Sequence, residues 1–250
     1  MIHPRRLSLG PRALVPWLLL AMILLVGCSK SLPNPLDTLT RDYKKYPEFS
    51  VILDDMQVTG NFVKSYYHYY KVLYVKDAAA SGDTQFSTEE RGWVEVPKDF
   101  YRGYETYLGM TILSKKNGQQ DVSRVQQPAA YQYVGNERYG RWQSNPSGGN
   151  FWVFYGQYSL LRDLLGGGSY PIRRSHWNDY RGAYRSGRPY FGPSSSPYYG
   201  TSGTLTKTKH PTFFERQQLR QSAKSQRFSQ RVSSRVGRTQ SRGSGRFGGK

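Results

Sequence analysis

The chain is poor in cysteine: its 250 residues contain one, Cys28. A single cysteine cannot form an internal disulfide, and it excludes a zinc site built on several thiolates. The sequence contains no GxSxG nucleophile elbow, and no two histidines have the i, i+4 spacing of a zinc-binding helix. Nucleophilic catalysis and metal binding therefore lack their usual residues, and the sequence predicts no enzyme, no metal site and no cofactor.

Acidic residues are scarce toward the C-terminus. The whole chain carries 36 Lys and Arg against 17 Asp and Glu, a net charge of +19. Residues 28–170 are nearly neutral, whereas residues 193–250 hold twelve basic residues and one acid. The excess charge therefore belongs to a tail and not to the body. With 37% hydrophobic and 15% aromatic residues, the chain is too rich in apolar side chains to be disordered throughout.

The first 27 residues follow the pattern of an export signal. Three arginines precede an apolar run from residue 13 to residue 27, which is shorter than the about 20 residues that a membrane-spanning helix needs. The next feature, Leu25-Val26-Gly27-Cys28, resembles the lipobox of bacterial lipoproteins. That resemblance implies cleavage before Cys28, a diacylglycerol on its sulfur and a fatty acid such as palmitate on its amino group. An uncleaved signal anchor is the alternative.

The body resembles a tyrosine-rich type of bacterial envelope lipoprotein to which no activity is assigned. The resemblance lies in "YVGNERYGRW" (133–142), "FWVFYG" (151–156) and the Arg/Gly-rich ending, and it implies no catalytic residues. Ser29 follows the lipidated cysteine, where an Asp would favour retention in the inner membrane. The resemblance therefore implies a cell-envelope protein, held in the outer membrane facing the periplasm if the host has one.

Four segments follow the predicted signal peptide (1–27). They are a lipidated tether (28–34), an α+β body (35–170), an aromatic and basic segment (171–192) and a basic low-complexity tail (193–250). The predicted fold is a small antiparallel sheet with a few helices, and the tail is partly disordered or marginally helical. A body of about 135 residues is long enough to bury its own core.

Local signals predict the elements of the body. Asn34 and Pro35 are typical of a helix start. The β-branched and aromatic runs 49–58 and 62–75, separated by a turn, predict a hairpin, and residues 92–96 predict a third strand. Near-helical spacing of large side chains between Asn150, which would cap it, and the glycines at 166–168, which would end it, predicts the clearest helix of the body.

Two aromatic features leave alternatives open. Strand alternation places Tyr66, Tyr70 and Tyr74 on one face with His68, where their rings either stack on sugars as an aromatic surface or pack as half-buried strand residues. The segment 171–192 mixes arginines with aromatics. It either lies along an anionic polymer or covers the body through cation–π contacts.

The tail contains the clearest regularity of the sequence. Nine basic residues recur at spacings of 4, 4, 3, 4, 4, 3, 4 and 4, which at 100° per residue form a stripe about 120° wide on a helix. We call this set the basic stripe: Arg216, Arg220, Lys224, Arg227, Arg231, Arg235, Arg238, Arg242 and Arg246. A capping box at Thr212 and Glu215 predicts a helix over 213–236 that a polyanion would stabilise.

These features together predict a membrane-anchored lipoprotein with a structural or binding role. Its expected partners are a membrane, through the N-terminal lipid, and an anionic envelope polymer, lipid or membrane protein, through the tail. An exported protein rarely meets nucleic acid, so that partner is disfavoured. The alternatives are an accessory subunit of a transporter or channel, and an envelope enzyme acting on glycan or lipid. A cleft joining Glu95, Asp99 or Glu137 to His68 would favour the enzyme.

The lipidation prediction is tested by Cys28→Ser. Removing the sulfur removes the attachment point for the diacylglycerol, so we expect the variant to leave the membrane fraction, whereas the native chain stays there without detergent. Fractionation followed by mass spectrometry of the mature N-terminus measures both effects. Unchanged membrane retention of Cys28→Ser would refute lipidation.

Overall fold

The computed structural model describes residues 32–76, 84–144, 146, 149–167 and 171–240, with side chains as far as residue 235. All of the elements below belong to the compact unit Pro33–Lys250. The predicted signal peptide and Cys28 lie outside the described residues, as do Arg242 and Arg246 of the basic stripe.

The first helix, α1, begins where the sequence predicts. It spans Pro35–Tyr43, and the side chain of Asn34 accepts a hydrogen bond of 3.0 Å from the backbone N–H of Leu36. This bond satisfies one of the N–H groups that a helix start leaves without a partner, and the proline needs none. Leu36, Leu39 and Tyr43 are buried against the sheet.

A five-stranded sheet forms the centre of the molecule and confirms the α+β prediction. Its strands, joined only by antiparallel pairings, lie in the order β3-β2-β1-β4-β5. The predicted hairpin is β1 with β2, and the third strand, predicted for residues 92–96, begins earlier, at Phe86. The bounds are β1 Glu48–Thr59, β2 Ser65–Val75, β3 Phe86–Val96, β4 Met110–Lys115 and β5 Gln127–Pro128. A short helix, α2 (Lys98–Tyr104), follows β3.

The first hydrophobic core lies on one face of this sheet. Successive side chains of a strand point to opposite faces, so Phe49, Val51 and Leu53 of β1 all face this core. We call it the aliphatic core, and it includes Leu36, Leu39, Tyr43, Phe49, Val51, Leu53, Met56, Tyr70, Val72 and Phe213.

A second core, rich in tyrosine, lies on the other face. Ser50 and Glu48, which alternate with the apolar residues of β1, contact it: the hydroxyls of Ser50 and Tyr133 lie 3.3 Å apart, and Tyr139 donates to Glu48 at 2.7 Å. Burial raises the pKa of Glu48, and the hydrogen bond from Tyr139 opposes that rise. We call this the tyrosine core, and it includes Tyr131, Tyr133, Tyr139, Trp152, Tyr158, Trp177, Tyr180, Tyr190, Tyr199 and Leu205.

The helix predicted to begin at Asn150 is wrong in its first part. The segment after Asn150 begins as a strand, and its helix starts only at Ser159. The strand pairs with a second one, and the rings of Trp142 and Trp152 meet edge to face with centroids 5.2 Å apart. Aromatic residues with a cross-strand partner favour extended backbone over the weak helical spacing. The bounds are β6 Gly140–Ser144, β7 Asn150–Phe154 and α3 Ser159–Leu164.

A helix from the aromatic and basic segment, α4 (Arg174–Arg185), covers the tyrosine core. The indole N–H of Trp177 donates to the carbonyl of Val134 at 3.0 Å. Gly135 has a φ of +82°, and a Cβ there would lie 2.3 Å from the Trp177 ring. Only glycine therefore allows the ring to approach the backbone this closely.

The packed unit continues into the predicted tail. Helix α5 (Thr204–Lys209) and helix α6 (Pro211–Gln240) follow, and Leu205 and Phe213 are buried in the tyrosine and aliphatic cores respectively. Lys209 donates to the carbonyls of Asp163 and Leu164 at 2.6 and 3.0 Å, at the C-terminal end of α3, where a positive charge is favourable. Residues beyond 200 therefore stabilise the body.

Substitution of Leu205 tests whether this segment belongs to the core. Leu205 is 4% exposed, so Leu205→Ala leaves a cavity and should lower the free energy of unfolding by about 2–5 kcal/mol. Leu219→Ala on α6 is the control, because Leu219 is 69% exposed and should change stability by less than about 0.5 kcal/mol. Urea denaturation measures both. Equal, small effects would show that α5 does not pack on the body.

Candidate functional site

Helix α6 carries the basic stripe and runs beside β1. Near its start, Arg216 donates to both carboxylate oxygens of Asp55 at 2.5 and 2.6 Å. Three turns later, Arg227 lies 3.5 Å from the side-chain oxygen of Asn61 in the hairpin turn. The chain advances about 20 Å from Asp55 to Asn61, and the helix advances about 16 Å from Arg216 to Arg227. Because these lengths are similar, α6 and β1 run side by side toward the turn.

Arg216, predicted to bind a polyanion, instead forms an ion pair with Asp55 of the same chain. Its guanidinium is held by Asp55 and is not free for an external ligand. Arg220 lies near Tyr101: burial raises the pKa of Tyr101 to about 12, and the positive charge of Arg220 opposes that rise. Arg216 therefore faces the protein's own body, whereas Arg220 is exposed.

The later members lie on the surface. Lys224, Arg227, Arg231 and Arg235 are all exposed, and no Asp or Glu follows Glu215 in the sequence. Arg238 also belongs to α6, but the structure describes only its backbone. The helix itself therefore carries no carboxylate after Glu215, and its positive charge accumulates toward the hairpin turn and beyond.

Apolar side chains accompany these cations. On α6, Phe228 is 70% and Val232 44% exposed. The hairpin turn, whose Asn61 contacts Arg227, exposes Phe62 and Val63 fully or nearly so. The sequence places Phe228 and Val232 along one edge of the stripe, but the two turn residues were missed as candidates. Their signal is two large apolar residues directly after Gly60-Asn61, where turns usually carry polar ones.

The predicted aromatic surface on β2 is wrong for Tyr70, whose side chain is fully buried in the aliphatic core. Tyr66 and Tyr74 are half-buried and pack against the same core. The Tyr66 ring lies 5.2 Å from that of Tyr101, and the Tyr74 ring 4.4 Å from that of Tyr46. Helices α1 and α2 cover this face of the sheet, which the strand pattern alone does not reveal.

His68 is sealed inside the protein. Its Nδ1 is 3.0 Å from the Tyr70 hydroxyl, and the rings of Phe100 and Tyr101 lie 5.5 and 5.3 Å away. Burial lowers the pKa of His68 to about 3, so the ring is neutral near pH 7. With no exposed surface, His68 is not joined by a cleft to the exposed carboxylates, Glu95, Asp99 and Glu137.

Two arginines of α4 lie over tryptophan rings, Trp177 of the same helix and Trp142 of β6. The Arg174 guanidinium lies 4.6 Å from the Trp142 ring and 4.7 Å from the Trp177 ring, and Arg181 lies 4.6 Å from Trp177. Trp177 and Tyr180 are buried. Segment 171–192 therefore covers the body, mainly through the buried rings of Trp177 and Tyr180, and one cation–π contact, from Arg174 to Trp142, adds to this packing.

Two cavities open on the part of the chain that the structure describes. One, of about 830 Å³, is lined by residues that include Asp179, Arg188, Tyr190 and Phe191. The other, of about 790 Å³, includes Arg173 and Arg174. Neither is lined by His68 or by the carboxylates named above, so neither is the cleft that would favour an enzyme.

Among the described residues, no cluster of His, Cys, Asp and Glu could hold a metal ion. No described helix is long and apolar enough to cross a bilayer. The fold and the site define an α+β protein with an exposed cationic helix. No protein-family model matches the chain, and no curated protein or solved structure matches it.

The buried His68 generates a pH prediction. Because its pKa is about 3 in the folded protein and about 6.5 in an unfolded chain, the unfolded state binds the proton first as the pH falls. The free energy of unfolding should therefore decrease below pH 6.5. Between pH 7 and pH 5 we expect the native protein to lose about 2 kcal/mol more than His68→Phe loses.

Urea denaturation of both proteins at the two pH values measures this difference. Comparing losses removes the contribution of other titrating groups, such as His210 and Glu48, which are the same in both chains. Parallel losses in the two proteins would show that His68 takes up its proton without unfolding.

Proposed function

We propose that this protein is a lipid-anchored component of the bacterial cell envelope with a structural or binding role. One end is held in a membrane, the outer membrane facing the periplasm where one exists, through the lipid on Cys28. The exposed part of the basic stripe contacts an anionic envelope component. Such a protein bridges two parts of the envelope and needs no catalytic site.

The observation that supports this proposal is the exposure of Lys224, Arg227, Arg231 and Arg235 along one helix. Each Lys or Arg near an anionic membrane surface contributes about 1 kcal/mol of binding free energy. Arginine also donates paired hydrogen bonds that match phosphate and carboxylate oxygens. Four such residues together provide a substantial, salt-sensitive attraction.

Helix α6 holds these charges in a fixed direction from the body. The burial of Phe213 and the ion pair of Arg216 with Asp55 attach its first turns to the sheet. The exposed cations follow on the same helix. They are therefore presented together to one surface, whereas a disordered tail would have to be ordered when it binds.

The test replaces the exposed charges without shortening the chain. Truncation near residue 200 would remove the buried Leu205 and Phe213, whereas Lys224→Gln, Arg227→Gln, Arg231→Gln and Arg235→Gln keep residues of good helix propensity. We expect the fourfold variant to lose its low-salt binding to isolated envelope material, measured by co-sedimentation over a salt series.

The matched control keeps Lys224 and replaces the three arginines with lysine, which preserves every charge. This control should retain binding with a similar dependence on salt concentration. Equal binding by the native protein and the glutamine variant at low salt would reject a role for the stripe.

A further inference from the structure

We infer that the surface recognised by α6 is an anionic lipid bilayer, and that the β1–β2 turn inserts Phe62 and Val63 into it beside the helix. This inference rests on the proposed function, because it assigns a ligand class to the same basic stripe. It adds a second contact element, the hairpin turn, which the basic stripe does not include.

The turn is apolar where water would favour polar residues. Phe62 is 102% exposed and Val63 85% exposed, and neither packs in the aliphatic or the tyrosine core. Lys64 follows directly and is exposed as well. Two large apolar side chains at the tip of a hairpin, next to a cation, suit insertion at the boundary of acyl chains and anionic headgroups.

The helix brings further apolar residues to the same place. The contact between Arg227 and Asn61 sets α6 beside the turn, and the next residue, Phe228, is 70% exposed. Val232 lies one turn farther along the same edge of the helix. The turn and α6 therefore each expose apolar side chains next to the contact between Arg227 and Asn61.

The cations flank these apolar groups. Lys224, Arg227 and Arg231 are exposed on the same stretch of α6. Long basic side chains extend their charged ends toward lipid phosphates while their stems contact apolar surface. A helix with a basic face and apolar residues beside it is typical of peripheral membrane binding.

An anionic bilayer accounts for the exposure of both the cations and the apolar residues, whereas a soluble polyanion accounts only for the cations. An anionic polymer would pair with the arginines and leave Phe62 and Val63 in water. Anionic lipid pairs with the same arginines and also removes the turn residues from water. The combination of charge and apolar exposure therefore favours lipid over polymer.

The experiment can use residues 33–250, because both cores are built from residues between Leu36 and Phe213. This chain contains no cysteine, so Phe62→Cys gives one attachment site for an environment-sensitive fluorophore. We expect its emission to rise and shift to the blue with phosphatidylglycerol vesicles, but not with phosphatidylcholine vesicles. The matched control is Leu160→Cys on α3, which is 38% exposed and should show no shift.

A double variant separates lipid from polymer. Phe62→Ser with Val63→Ser should weaken binding to phosphatidylglycerol vesicles on the order of tenfold or more, and leave binding to heparin, a soluble polyanion, unchanged. The variant Arg227→Gln with Arg231→Gln should weaken both.

The outcomes distinguish the two proposals. Native affinity of the serine variant for vesicles, or an unchanged fluorophore, would overturn lipid insertion. Binding of the native chain to heparin but not to vesicles would also overturn it, and would leave the proposed function in place with a polymer as the ligand. Binding to neither would count against both.

Discussion

The architecture depends on β1 being covered on both faces. Phe49, Val51 and Leu53 enter the aliphatic core, while Glu48 and Ser50 between them meet tyrosine hydroxyls on the opposite side. A strand covered on both faces needs a layer of structure on each. The chain supplies α1, α2 and the start of α6 to one face, and residues 130–205 supply most of the layer on the other. Since buried polar groups must be hydrogen-bonded, the tyrosine hydroxyls also restrict how the second layer can pack.

The covering of β1 also links the fold to the candidate site. Phe213 fills part of the aliphatic core, and it lies only three residues before the arginine that pairs with Asp55. Core packing and one ion pair thus direct α6 along β1 toward the hairpin turn. Beyond Arg216 the chain contains no further Asp or Glu, so the later turns of α6 carry positive charge alone. A helix anchored at its start and charged along its later turns is suited to hold the body against an anionic surface.

Local signals predicted the elements that depend on neighbouring residues. The cap at Asn34, the β1–β2 hairpin and the helical period of the tail each arise within a few residues, and the structure contains all three. The helix expected from Asn150 failed because cross-strand pairing with β6 favours a strand there. The aromatic surface failed at Tyr70 because α1 and α2 cover that face, and this depends on residues distant in sequence.

For the candidate site, the sequence by itself determined the number, sign and period of the charges and the edge occupied by Phe228 and Val232. These follow from composition and from helix geometry, which need no tertiary contact. Only the tertiary structure decided that Arg216 belongs to an ion pair, that Leu205 and Phe213 belong to the cores, and that α6 reaches Asn61 of the hairpin turn. The physical reason is that partners far apart in sequence meet only when the cores have packed, and no local pattern encodes those distances.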